Sequence, residues 1–314
     1  MFQGLISIDK PVGLRSSYCV EQLKKIIDKR TKIGHGGTLD SSASGVLVML
    51  LGGATRLSDL VMRMPKIYRA VLRLGCETST CDYTGDMTET GNHERVAETD
   101  IDGLIPSFLG WRMQTPPEVS AVHVGGRRAH EIFRSGVAPD IKPRPVFIES
   151  IVRAGGISRD GRVELSIRCG KGAYVRAIAR DMGRALGCGA HIASLRREAV
   201  GFFSLAGSLT WREKPSDMKD ELISSIQPIE SMDRFIPCYT VNDSGAERLA
   251  NGMGIPPLSL VSRESDGVKC PESAVMIRSA SLVSLGRIET TCRGVAIMPE
   301  INIKLEPRET ETAI

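Results

Sequence analysis

Apolar positions along this chain switch between strand and helix periods, and the switching marks out most of its elements. Gly4-Leu5-Ile6-Ser7-Ile8-Asp9-Lys10 reads as a short strand, ended by a Pro11-Val12-Gly13 turn. Ser16 or Ser17 can cap a following helix, in which Val20, Leu23, Ile26 and Ile27 recur at helical spacing with lysines opposite. Val46 to Leu51 is an unbroken apolar run of buried-strand length. Gly52-Gly53 interrupts the chain, and residues 54–62 read as a second helix. Strands are predicted at Tyr68 to Leu74, Phe147 to Ala154 and Arg162 to Cys169, the last two joined through Gly155-Gly156 and Asp160-Gly161. Residues 114–142 are loop-like apart from one amphipathic piece, 129–134. Gly170-Lys171-Gly172-Ala173-Tyr174 then leads into a helix with Val175, Ile178, Ala179, Met182 and Leu186 on one face. Residues 214–233 are a polar linker. Beyond Ile236 the pattern is of short strands with one short helix, 245–251. The chain is therefore α+β, with a small, mostly β unit at its C-terminal end.

Composition narrows the classes. Hydrophobic residues make up 41% of 314, enough for a substantial core, and no apolar run approaches the ~20 residues of a membrane span. Met1-Phe2-Gln3-Gly4 lacks the basic region and apolar core of a secretion signal, which predicts a cytoplasmic protein. The eight cysteines are scattered without the spacing of a zinc ligand pair, so free thiols and no metal are expected. A net charge of +4 decides little by itself. Its distribution says more: basic clusters at Lys24 to Lys32, Arg127 to Arg144 and Arg176 to Arg197 are interleaved with Gly-rich loops. That arrangement fits a surface that tracks a phosphate backbone. The tail from Glu306 is acidic, poor in apolar residues and expected to be disordered.

The chemistry concentrates in Gly34-His35-Gly36-Gly37-Thr38-Leu39-Asp40, continued by Ser41-Ser42-Ala43-Ser44-Gly45. A phosphate-cradling loop ends in Gly-Lys-Ser/Thr; this one carries Asp40 instead. A lone acid in such a loop is by default a turn former. Placed directly before a core strand, on backbone that a ligand can approach closely, it is also a catalytic candidate.

Several motifs, in order, carry a resemblance to the TruB family of tRNA pseudouridine synthases. They are Ile8-Asp9-Lys10-Pro11 with Gly13, and the Gly34 to Gly45 loop. Next come Lys66-Ile67-Tyr68 with Leu74-Gly75, Thr78, Thr80, Asp82 and Gly85, and Pro116-Pro117 with Ser120-Ala121 and Gly126. The last are Lys171-Gly172-Ala173-Tyr174-Val175-Arg176 and Leu186 to His191 with Leu195-Arg196-Arg197. Together they span residues 4–205. More loosely, Ala250-Asn251-Gly252 after a helix resembles a PUA-type RNA-binding module.

The resemblance implies a mixed, mainly antiparallel sheet flanked by helices over 1–232, with an RNA-clasping insertion at about 112–146. A PUA-like domain would cover 233–304 and a disordered tail 305–314. It implies a monomer that isomerises a T-loop uridine, position 55, by extruding the base from its stack, with the tRNA T arm as partner and no cofactor. It assigns Asp40 as nucleophile, Arg176 as the cation that aims it and Tyr68 as the ring that stacks on the base. Substrate contacts are implied for His35, Tyr174 and Leu195, and Lys10, Lys66 and Lys171 are implied as substrate-binding cations that approach phosphates or brace the loops. The chain departs from the family's habit at Ser41-Ser42 (usually Pro-Leu), Val119 (Tyr), His123 (Lys) and His130 (Tyr).

Overall fold

The computed structural model describes residues 2–264, 274–291 and 294–305. Its centre is a ten-stranded sheet. From one edge the order is Leu209–Thr210, Gly4–Lys10, Ala43–Leu51, Ala190–Val200, Lys66–Leu74, Arg162–Cys169, Arg144–Ala154 and Gly110–Gln114. Two short strands, Ile33–His35 and Phe203–Ser204, pair onto it. Gly4–Lys10 with Leu209–Thr210, and Ala190–Val200 with Ala43–Leu51, run parallel; the other pairings are antiparallel. The sheet is thus mixed and mainly antiparallel, as expected.

The Val175–Ala185 helix lies across one face. Val175, Ile178, Ala179 and Met182 bury against Leu72, Leu165, Ile167 and Ile192 of the central strands. That spacing is the one read from sequence, and the apolar stripe is what pins the helix to the sheet. The predicted helix at 54–62 is a 3-10 turn, Gly52–Leu57, running into a short α-helix, Ser58–Arg63.

One central strand, Ala190–Val200, is not legible in sequence. Its alternation is broken by register shifts at Ile192/Ser194 and Arg197/Ala199, and its apolar period is obscured by Arg196-Arg197-Glu198. Such bulges shift which side chains face the core.

A second sheet has five strands, ordered Leu260–Glu264, Cys238–Val241, Ala274–Arg278, Leu282–Thr291 and Gly294–Lys304. Cys238, Met276, Val283 and Ile303 from it share a core with Leu5, Val46, Val48 and Leu50 of the first sheet. Cys19, Cys76, Cys81, Cys169 and Cys188 are free thiols; Cys270 and Cys292, like the expected tail from 306, lie outside the described residues.

Where the parallel pair meets, Gly45 sits opposite Arg197 with φ at +110°. A Cβ there would lie 2.1 Å from the Arg197 carbonyl oxygen and 2.7 Å from its nitrogen. Both the dihedral and the contact demand glycine. Gly45→Ala is expected to lower stability by about 3 kcal/mol or more, read as a lower urea midpoint with an unchanged slope. A midpoint equal to wild type would show that the strands can separate freely there.

Candidate active site

At one end of the central strands the chain leaves a cleft of about 300 Å³. Its walls come from the Gly37–Asp40 loop, Met62, Lys66 and Tyr68, the Gly170–Arg176 segment, and Leu195 and Arg197. Seven of the nine sequence-predicted residues therefore meet here: Asp40, Tyr68, Arg176, Tyr174, Leu195, Lys66 and Lys171. Lys10 and His35 do not line it.

Asp40 and Arg176 form its floor. Asp40 Oδ2 lies 2.8 Å from Arg176 Nη2, with the carboxylate side chain 40% exposed and the arginine side chain 6%. Arg176 stands in the first turn of the Val175–Ala185 helix. A cation is unfavourable at that end of a helix dipole, and buried charge is costly. Four acceptors offset both. Besides Asp40, Nη1 donates to Thr80 O at 2.9 Å, Nη2 donates to Val119 O at 3.1 Å, and Nε faces Asp82 Oδ2 at 4.0 Å.

Asp82 is itself buried and saturated. Thr80 Oγ1 (2.7 Å), Thr84 Oγ1 (2.5 Å) and Thr84 N (3.0 Å) donate to Oδ1, and Ser42 Oγ donates to Oδ2 at 2.8 Å. Burial alone would raise this carboxyl, but the hydroxyls of Thr84, Thr80 and Ser42 outweigh it and hold the group below the usual range. Ser42, a departure from the family habit, thus ties the Asp40 loop to the acid beside Arg176. The turn carrying Asp82 places Cys81 at φ +60°, rare for a side chain with a Cβ.

Behind the loop a second set of contacts fixes Asp40. Ser16 Oγ donates to Leu39 O and accepts from Leu39 N, both at 2.9 Å, and Gly13 N donates to Ser41 O at 2.7 Å. Lys10 is fully buried, and its Nζ donates to Pro11 O, Leu14 O and Ala43 O at 2.8, 2.9 and 2.6 Å. Burial lowers its pKa to about 8. Three carbonyls occupy its three donors, so of the two roles expected for Lys10, approaching phosphate or bracing the loops, the geometry fits the second: it clamps the loop from behind.

Arg197 is a residue the sequence reading missed as a site member. It is 2% exposed and lines the cleft. Its Nε donates to Val46 O at 2.7 Å, and Nη1 and Nη2 reach Thr38 O and Gly37 O at 3.2 and 3.3 Å. It therefore shapes the backbone just before Asp40. Its signal was the pair Arg196-Arg197 after Leu195, which a strand would split between two faces. Asp82 was likewise quoted only as a motif letter. Its signal was the flanking hydroxyls of Thr80 and Thr84.

The remaining members form the walls. Tyr68 and Tyr174 are half-buried, and burial raises both phenols. The backbone of Tyr174 is pinned by Gln114, whose Oε1 accepts from Tyr174 N at 2.9 Å. Lys66 is buried, donates to Met62 O and Met64 O, and burial brings it down to about 7. Lys171 is exposed at the rim and pairs with Asp59 at 2.5 Å. His35 lies on the Ile33–His35 strand, and the structure holds no hydrogen-bond partner for its buried Nδ1. Burial lowers its pKa, so the ring is neutral near pH 7. Among the described residues no cluster of His, Cys, Asp and Glu could hold a metal ion, and no helix is long and apolar enough to cross a membrane.

Comparison with known proteins agrees with this geometry. Residues 24–175 match the model of the TruB family pseudouridylate synthase N-terminal domain, and 176–232 that of the tRNA pseudouridylate synthase B C-terminal domain. A tRNA pseudouridine synthase B of Bartonella henselae is 44% identical over 210 residues, 67% of this chain and 65% of that one, just under two thirds of its length. A tRNA pseudouridine synthase B of Dinoroseobacter shibae is 39% identical over 250 residues, covering 79% of this chain and 81% of that one. In three dimensions the chain superposes on one from a crystal structure of a Cbf5-Nop10-Gar1 complex with a TM-score of 0.70 and 26% identity, over 97% of this chain and 85% of that one. With the cleft, its acid and its arginine in the order of the matched motifs, the chain belongs to the TruB family of pseudouridine synthases, which isomerise uridine to pseudouridine in tRNA.

Proposed function

We propose that this protein isomerises the T-loop uridine at position 55 of tRNA, with Asp40 as the catalytic carboxylate. One observation carries the reading. A half-exposed carboxylate stands on the floor of a cleft with its Oδ2 2.8 Å from a buried guanidinium. The reaction breaks the N1–C1′ bond, turns the base and forms a C5–C1′ bond; C5 loses a proton and N1 gains one, so no oxidant or phosphate donor is consumed. A carboxylate that bonds covalently to one half while the base turns divides this into two easier steps. Arg176 aims that carboxylate, and its fork geometry fixes direction as well as charge.

The walls suit a flipped base. Tyr68 stacks on the ring, Tyr174 packs from the other side and Leu195 supplies an apolar wall. Lys171, exposed at the rim, contacts phosphate when released from Asp59. Residues 112–146 clasp the RNA: they present exposed Arg127, Arg128, Arg134 and Arg144 on a small core of Val122, Ala129 and Ile141 packed against Tyr174. Docking of RNA there would press directly on the cleft wall. The sheet of 233–304 serves as a PUA-like RNA-binding module, and the enzyme works as a cytoplasmic monomer.

The test is single-turnover treatment of an unmodified tRNA and its isolated T-arm hairpin, with pseudouridine mapped to position. Wild type is expected to convert position 55 in both. Asp40→Asn should keep its fold and its RNA affinity and give no conversion. Turnover by Asp40→Asn would remove Asp40 from the chemistry, and conversion elsewhere in the tRNA would change the substrate. A second expectation concerns salt. If the basic residues named here contact phosphates, log Kd should rise linearly with log salt concentration, losing roughly a factor of ten or more between 50 and 200 mM. A flat dependence would contradict a phosphate-tracking surface.

A further inference from the structure

One ion pair joins two walls of the cleft at its rim. Asp59 stands on the Ser58–Arg63 helix, which also supplies the cleft-lining Met62. Lys171 belongs to the Gly170–Arg176 wall. The Lys171 ammonium donates to Asp59 Oδ1 at 2.5 Å, between segments 112 residues apart in sequence. From Asp59's own helix, one turn along, Arg63 Nε donates to Oδ2 at 2.7 Å. The hydrogen bond from Lys171, more than any other influence, holds the Asp59 carboxyl below its ordinary range.

The pair is open to water: the Asp59 and Lys171 side chains are 51% and 48% exposed. An ion pair so exposed adds little to stability and is readily exchanged. Lys171 also differs from the other cations of the cleft. Lys66, Arg176 and Arg197 are buried and donate to backbone carbonyls, which fixes them in place. Lys171 is exposed, and a carboxylate that does not itself line the cleft holds it. A base that enters the cleft stays bonded to its sugar, so the phosphates flanking that sugar arrive at the rim. A phosphate arriving there meets Asp59, which repels it unless Asp59 gives way. The lysine ammonium is a point charge with no fixed fork, so it can exchange one anion for the other.

We infer that Asp59 is an internal stand-in for phosphate: on Lys171 it occupies the seat that a phosphate flanking the target uridine takes when the base enters the cleft. The inference rests on the proposed RNA-modifying function. Entry of the nucleotide then swaps one anion for another on the same lysine, and Arg63 remains beside the displaced carboxylate. An anion that brings no base to fill the cleft gains only that exchange.

Asp59→Asn keeps the size of the side chain and removes its charge. At low salt its dissociation constant for the T-arm hairpin should be about two- to fivefold lower than that of wild type, the range set by an exposed ion pair. In a Lys171→Met background the same substitution should gain nothing, because no seat is left to vacate. Two further hairpins carry a neutral methylphosphonate in place of the phosphate on the 5′ or the 3′ side of the target uridine. For one of them the gain from Asp59→Asn should vanish. An unchanged or weakened affinity in Asp59→Asn would overturn the inference, the weakened one making the pair a brace between the cleft walls. An equal gain with and without Lys171 would also overturn it, as a general effect of removing negative charge near RNA. So would a gain that survives both methylphosphonates. Wild-type protein that binds the hairpin and makes no pseudouridine would instead bring down the function on which the inference rests.

Discussion

One buried guanidinium organises the cleft end of this protein. Arg176 is carried into the interior by a helix whose apolar stripe is pinned to the central sheet. A cation there must be surrounded by acceptors or it costs several kcal/mol. Its acceptors come from three distant segments: Asp40 from the Gly-rich loop, Thr80 and Asp82 from a tight turn, and Val119 from the loop after the Gly110–Gln114 strand. Satisfying the arginine therefore brings those segments together. Asp40 is 40% exposed, so its arm of the network contributes direction more than stability. The Asp82 arm is dry and fixes the arginine against the turn.

Around that pair the fold supplies rigidity in layers. Lys10 and Ser16 clamp the Asp40 loop from behind, and Arg197 holds its first residues. Ser42 connects the loop to Asp82, so the acid that steadies Arg176 also steadies the segment bearing Asp40. Two mutually supporting routes thus fix one carboxylate. Preorganisation of this kind lets a single acid work without reorganising its surroundings at the moment of reaction.

Local signals were readable in the sequence, and long-range ones were not. Asp40, Tyr68, Tyr174 and Arg176 stand in compact motifs whose spacing survives in one dimension, and the structure brings all four to one cleft. The strand Ala190–Val200 was hidden because two bulges and a buried arginine break its period. The burial of Lys10 was not legible because no local pattern shows that three carbonyls enclose it. Asp82 and Arg197 take their importance from partners 40 to 160 residues away. The Asp59–Lys171 pair at the rim was equally invisible, since its partners stand 112 residues apart.

The claim that Arg176 acts by aiming Asp40, and not merely by carrying charge into the cleft, is open to a direct measurement. Arg176→Lys keeps the positive charge and removes the planar fork that reaches Asp40, Thr80 and Val119 together. The decisive quantity is the single-turnover rate constant for pseudouridine formation at saturating tRNA, with the dissociation constant measured alongside in the same variant. The account predicts a fall of about a hundredfold or more in the rate constant with affinity nearly unchanged. A lysine variant that turns over like wild type, or one that loses only affinity, would contradict it.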